Sequence, residues 1–201
     1  MTERGSADDG AAREGPLVLA DISGYTTFVA TTELEHSQMA VGYLLEAMIA
    51  SFDGKLEPGQ VQGDAVLFVS DRFDPRLLSW IEDAYVEFHR MVRSLLARST
   101  CGCRACAAIP VLTMKALAHY GRYSRRRIGP SDQLHGADVI IPHRLAKNQV
   151  PSREYVLVTQ ALIERLPEPD RARFTSRDED GGEFGRLHVG YYDLGFLRTR
   201  T

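Results

Sequence analysis

Short apolar runs alternate with segments of helical period along most of the chain, and this alternation most narrows what the chain can fold into. Leu17–Ala20 is a continuous apolar run between Pro16 and Gly24, the pattern of a buried strand. A helix is expected to start near Tyr25 or Thr26. Val41, Leu44, Leu45, Met48, Ile49 and Phe52 then recur at helical spacing, with Ser37 as the expected N-cap. Asp53-Gly54 closes this helix and opens a hairpin, with strands over Lys55–Val61 and Ala65–Ser70 and Gly63-Asp64 at its tip. The longest helix follows Asp74-Pro75, with Leu77, Leu78, Ile81, Tyr85, Phe88, Val92, Leu95 and Leu96 on its apolar face.

After an irregular cysteine segment, Leu112–Tyr120 reads as a strand. A second, shorter strand carrying Arg125, Arg126 and Arg127 is expected between Gly121 and Gly129. A helix over Ala137–Lys147, a strand over Tyr155–Val158, a short helix capped by Thr159, a charged loop over Arg171–Gly185 and a last strand over Leu187–Tyr192 complete the pattern. This order predicts an α+β fold: a mixed, mainly antiparallel sheet with helices packed mostly on one face.

The 201 residues suit a single domain over 16–201, preceded by a polar leader over 1–15 that reads as disordered. The leader has no apolar core, so it is not a signal peptide. No apolar run approaches the roughly 20 residues a membrane span needs. A net charge of −3 argues against a nucleic-acid binder working through a broad basic face. The arginine cluster reads as a solvated strand edge or loop. Three cysteines packed between Cys101 and Cys106 do not form a secreted disulfide framework, so a cytoplasmic protein is expected.

Two aspartates stand at strand ends beside glycine turns: Asp21, before Ile22-Ser23-Gly24-Tyr25, and Asp64, in Gly63-Asp64-Ala65. A sheet fixes the direction of such carboxylates. A pair on neighbouring strands can hold Mg²⁺ or Mn²⁺, ions that prefer oxygen ligands and substrate phosphates. The backbone N–H groups of Gly24 to Thr26, where the turn enters a helix, can face phosphate oxygens. Either aspartate alone reads as an ordinary turn residue; the order and spacing of the two is what points to a site.

Ala20-Asp21-Ile22-Ser23-Gly24-Tyr25-Thr26 resembles the opening motif of class III adenylyl and guanylyl cyclases, Asp-Ile-x-Gly-Phe-Thr. Gly63-Asp64-Ala65 followed by Val66-Leu67-Phe68 resembles the family's hairpin motif, and Ala118-His119-Tyr120-Gly121 its Ile-His-x-Gly strand. Gly136-Ala137-Asp138-Val139 through His143-Arg144-Leu145 resembles its Gly-x-x-Val-Asn-x-Ala-x-Arg helix. The finer wording is similar to a bacterial cyclase-like branch without assigned activity.

The resemblance implies a ferredoxin-like, cyclase-type fold and a head-to-tail homodimer that shares each nucleoside triphosphate site. It implies Asp21, Asp64 and the Ile22 carbonyl as metal ligands, and Gly24, Tyr25 and Thr26 as the phosphate turn. Arg144 takes the place of the transition-state arginine supplied across the dimer. The base-contacting positions carry Gln60, where the family has lysine, and Gln133, where it commonly has aspartate; Asp132 is next to the latter. The ribose-orienting asparagine is replaced by Ile140, which offers no hydrogen bond. Weak or altered cyclase activity is expected, in which the ribose 3′-hydroxyl attacks the α-phosphate and pyrophosphate leaves. The alternatives are a noncatalytic nucleotide-binding or dimerisation module, and a zinc-bearing scaffold acting through partners.

Cys101, Cys103 and Cys106 form a second constellation. Their spacing fits a structural Zn²⁺ with a histidine as fourth ligand, reduced thiols, or a Cys103–Cys106 redox pair. His89 and His119 are the nearest histidines in sequence. His119 within a strand reads as a core histidine, and His36 and His143 as exposed or interfacial. Trp80, Tyr85 and Phe88, at helical spacing, read as core.

Overall fold

The computed structural model describes residues 10–129 and 131–201. The strands are β1 (Ala12–Ser23), β2 (Glu57–Gln62), β3 (Ala65–Val69), β4 (Thr113–Ile128), β5 (Ser131–His135), β6 (Tyr155–Thr159), β7 (Thr175–Asp180) and β8 (Arg186–Asp193). The helices are α1 (Tyr25–Thr31), α2 (Leu34–Ser51), α3 (Leu77–Arg98), α4 (Arg104–Ala108), α5 (Ala137–Leu145), α6 (Gln160–Ile163) and α7 (Glu168–Arg171). Among the described residues the strands form one sheet in the order β2-β3-β1-β4-β6-β8-β7, with β5 paired to β4. Only the β4–β6 pair is parallel. The architecture is therefore the expected mixed, mainly antiparallel α+β sheet. No helix among the described residues is long and apolar enough to cross a membrane.

The pleat divides the core. Val18, Ala20 and Ile22 of β1 face one side, where Phe28 of α1, Leu44 of α2, Ile81 of α3 and Leu162 of α6 pack on the sheet. Leu17 and Leu19 face the other side, covered by Val139, Ile141 and Leu145 of α5 and Leu134 of β5. Among the described residues, several helices thus crowd one face, and on the other α5 is the helix that packs on the sheet, together with Leu134 of β5. Residues 15, 17, 19 and 21 of β1 share the α5 side, which fixes the face onto which Asp21 projects.

Several local expectations are corrected. β1 begins at Ala12, so residues 12–15 of the expected leader pair with β4; residues 1–9 lie outside the described residues. α2 begins three residues before Ser37, with Glu33 at its N-cap. Ser37 is buried inside the helix, and its hydroxyl donates to the Leu34 carbonyl at 3.0 Å. Gly121 does not end a strand: β4 runs unbroken through it, and Gly121 pairs with Gly15.

Part of the expected loop over 171–185 is the strand β7, Thr-Ser-Arg-Asp-Glu-Asp. As a sheet edge paired only to β8, it carries no apolar alternation to betray it. The cysteine segment contains the short helix α4. Leu96, expected on the apolar face of α3, is exposed, whereas Leu77, Leu78, Ile81, Tyr85, Phe88 and Val92 are buried.

A carboxylate pair on the sheet and a cysteine–histidine cluster

Asp21 pairs in register with Ala65 of β3 on one side and with Lys115 of β4 on the other. Asp64, one residue before Ala65 at the hairpin turn, is thereby drawn beside it, and the Ile22 N–H donates to the Asp64 carbonyl at 3.1 Å. Sheet register is what brings residues 21 and 64 together. The carboxylates sense each other: burial raises the pKa of Asp64, and the Asp21 charge raises it further. Burial likewise raises Asp21, opposed by the Lys115 ammonium, whose Nζ lies 3.6 Å from Oδ1. The same Nζ donates to the Ala146 carbonyl, just past the end of α5, at 3.1 Å.

Two mutually repelling carboxylates in a partly desolvated corner are a hard-oxygen donor set that suits Mg²⁺ or Mn²⁺. Lys115 cancels part of their charge, and one net negative charge is left. The residues therefore fit a divalent ion, with Lys115 as an internal competitor that sequence reasoning did not identify.

Gly24, at the start of α1, has φ 94°, the left-handed region in which glycine is favoured. A side chain there would also collide with Arg153, whose Nη2 lies 2.3 Å from the position of a Cβ. Arg153 donates to the Val111 carbonyl at 3.2 Å, which holds its guanidinium beside Gly24. This cation beside the expected phosphate turn was missed because it arrives from a distant loop and carries no local motif.

The other implied site residues are distributed around this corner. β5 lies against β2, with Leu134 packed on Gly59 where a Cβ would sit 2.4 Å from Leu134 Cδ1; Gln60 and Gln133 are thus on adjoining strands. Gln60 accepts from Gln62 Nε2 at 3.2 Å, and Gln133 is exposed opposite Arg126, with Asp132 exposed opposite Arg127. Ile140 is 46% exposed on α5. Arg144 reaches the turn between β7 and β8, where its Nη2 contacts Glu183 Oε2 at 2.9 Å. In the single chain it is engaged there and not at the carboxylates.

The histidine beside the cysteines is His36, near the start of α2, and not either of its nearest sequence neighbours. His36 Nδ1 lies 3.1 Å from Cys103 Sγ and 3.6 Å from Cys106 Sγ. The Cys106 backbone N–H and His36 hold the Cys103 thiol down at about 6. His89 is instead buried against Thr113 Oγ1 at 3.0 Å. His119 is a core histidine, bonded to Thr159 Oγ1 at 2.8 Å with Asp138 Oδ1 3.4 Å from its other nitrogen.

Comparison with known proteins bears on these features at two levels. The uncharacterized protein Rv2561/Rv2562 of Mycobacterium tuberculosis is 28% identical over 153 residues, 75% of this chain and 72% of its own length. Among solved structures, the guanylyl cyclase Cya2 superposes with a TM-score of 0.73 at 12% identity, covering 91% of this chain and 93% of that one. The adenylyl cyclase CyaB from P. aeruginosa superposes with a TM-score of 0.65 at 13% identity, covering 92% and 96%. A bacterial light-regulated adenylyl cyclase gives 0.69 at 13% identity; the match covers 96% of this chain but 58% of that longer protein. At such identities the likeness establishes the fold of adenylyl and guanylyl cyclase catalytic domains. Residues 41–155 match the family described as "Protein of unknown function (DUF2652)", and the chain is a member of that family.

Proposed function

We propose that this chain binds a divalent cation and a nucleoside triphosphate at Asp21, Asp64 and the Gly24–Thr26 turn, and that it is a nucleotidyl cyclase of weak or altered activity. The observation that carries the reading is the convergence of two half-buried, mutually repelling carboxylates near a glycine turn with Arg153 beside Gly24. A bound divalent ion would supply charge neutralisation and Lewis acidity at the phosphates. The protein's own groups have separate tasks. Asp21 and Asp64 hold the cation, the Gly24–Thr26 amides and Arg153 orient phosphate oxygens, and Gln60 and Gln133 meet the base.

Glutamine donates and accepts, so those two positions favour tolerance among bases over choice of one. Ile140 leaves the ribose without an orienting hydrogen bond. A lost orienting contact costs about 10²–10³ in rate, which accounts for the weak turnover proposed. A homodimer that brings Arg144 of one protomer to the carboxylates of the other would complete the site. That requires Arg144 to leave Glu183, an exposed pair whose loss costs at most about 1 kcal/mol.

A second reading, a noncatalytic nucleotide-binding or dimerisation module, is favoured by Lys115, which already sets a cation 3.6 Å from Asp21. Calorimetry with Mn²⁺ and each ribonucleoside triphosphate, paired with an assay for cyclic product, separates the two. Metal-dependent binding with slow cyclic product supports the cyclase, and binding without product supports the module. Asp21→Ala should abolish metal-dependent binding. Equal binding by the parent and Asp21→Ala proteins, or none by either, would overturn both.

A further inference from the structure

Cys101, Cys103, Cys106 and His36 place one ligand atom each within 4.8 Å of one another, the one such group of His, Cys, Asp and Glu among the described residues. A tetrahedral Zn²⁺ with arms of about 2.3 Å to sulfur and about 2.0–2.1 Å to nitrogen spans about 3.8 Å between sulfurs and about 3.6 Å from sulfur to nitrogen. The Nδ1 separation of 3.6 Å from Cys106 Sγ equals that span, the 3.1 Å to Cys103 Sγ is about 0.5 Å shorter, and all four donors lie within 4.8 Å of one another, so small side-chain shifts bring them onto the frame. We infer that these four side chains form a structural Zn²⁺ site that fastens α4 and the segment after α3 to the start of α2.

The surrounding contacts hold the donors in place. Cys103 is the N-cap of α4, and its sulfur accepts from the Cys106 backbone N–H at 3.4 Å, so both sulfurs lie on the same turn. Glu33, three residues before His36, accepts from the Ala105 backbone N–H at 2.9 Å and from Arg104 Nε at 3.3 Å. That carboxylate pins the start of α4 to the start of α2 and thereby sets the distance from His36 to the two sulfurs. Outer-shell contacts of this kind orient metal ligands.

The donor chemistry selects the ion. Thiolate and imidazole suit Zn²⁺, whereas the oxygen donors preferred by Mg²⁺ and Ca²⁺ are absent from the group. Four protein ligands leave no open position, so the site is structural and not catalytic. The imidazole nitrogen contacts both the Cys103 and the Cys106 sulfur, which suits a shared cation better than a Cys103–Cys106 disulfide. All three cysteines are free.

The test uses the full chain, purified under reductant without chelator. Elemental analysis should find about one zinc per chain, and X-ray absorption should give a shell of three sulfurs and one nitrogen. Replacement by Co²⁺ should produce the intense d–d bands of tetrahedral geometry with sulfur-to-cobalt charge transfer. His36→Ala should lower zinc affinity by at least about 10–100-fold, the loss that even outer-shell changes cause. Cys106→Ser should abolish stoichiometric binding. Metal-free protein with three freely titrating thiols, a shell lacking sulfur, or a Cys103–Cys106 disulfide persisting in reduced preparations would each overturn the inference. The cobalt and absorption spectra need only the parent protein, so the test survives a variant that fails to fold.

Discussion

Individual titratable side chains in this protein are governed by what the sheet places opposite them. Asp21 would be an unremarkable turn residue if β4 did not set Lys115 across from it and the β2–β3 hairpin did not set Asp64 beside it. His89 shows the same control by burial. It is 4% exposed, and burial pushes its pKa down from 6.5 to about 4. Because the folded value lies below the unfolded one, the unfolded chain binds more protons between these values. Stability contributed by neutral His89 is therefore fully present above pH 6.5 and is lost as pH falls towards about 4. The loss amounts to about 3 kcal/mol at about 1.4 kcal/mol per pKa unit. His89→Gln can keep a contact to Thr113 without a titrating ring. Urea midpoints for the variant should therefore decline less than those of the parent between pH 7 and pH 4, and parallel declines would refute the assignment.

Among the secondary elements, α5 depends on the glycine that sequence reading took as a strand terminus. Asp138, in the first turn of α5, accepts from the Arg122 backbone N–H at 2.6 Å, and its side chain occupies the space above Gly121. A Cβ on Gly121 would lie 2.4 Å from Asp138 Cγ. Gly121→Ala should therefore cost about 1–3 kcal/mol through overpacking, read as a lowered urea midpoint with an unchanged slope. Gly42 is the control. It sits within α2 with no neighbouring atom within 4 Å of a Cβ and no positive φ. Gly42→Ala should stabilise the protein by up to about 1 kcal/mol. Equal effects at the two positions would show that α5 is not held by this contact.

At the level of the assembled protein, Lys115 links Asp21 to the Ala146 carbonyl at the C-terminal end of α5, yet within one chain Arg144, at that same end, is tied to Glu183. If the site is shared between protomers, two inactive variants should complement each other. Asp21→Ala lacks the metal ligand and Arg144→Ala lacks the arginine, but a mixed dimer keeps one site with neither change. Mixing the two variants should restore part of the parent's triphosphate-dependent product formation, measured against each variant alone. No recovery, together with a monomeric mass in light scattering with and without nucleotide, would remove the shared-site mechanism.

The pattern of apolar runs was enough to identify most strands and helices, because burial on a pleat or a helix face repeats at fixed intervals along the chain. It also pointed to Asp21, Asp64 and the three cysteines, since each sits in a short, contiguous motif. It did not show β7, whose polar edge lacks alternation, or the continuity of β4 through Gly121, where a glycine serves packing and not a turn. Nor did it show the partners from far along the chain. Lys115 reaches Asp21 through cross-strand register, Arg153 covers Gly24 from a loop, and His36 meets the cysteines because Glu33 joins α2 to α4. Local spacing encodes which backbone groups repeat on one face. Which distant charge or donor completes a site depends on how those faces are stacked, and that is a property of the folded chain.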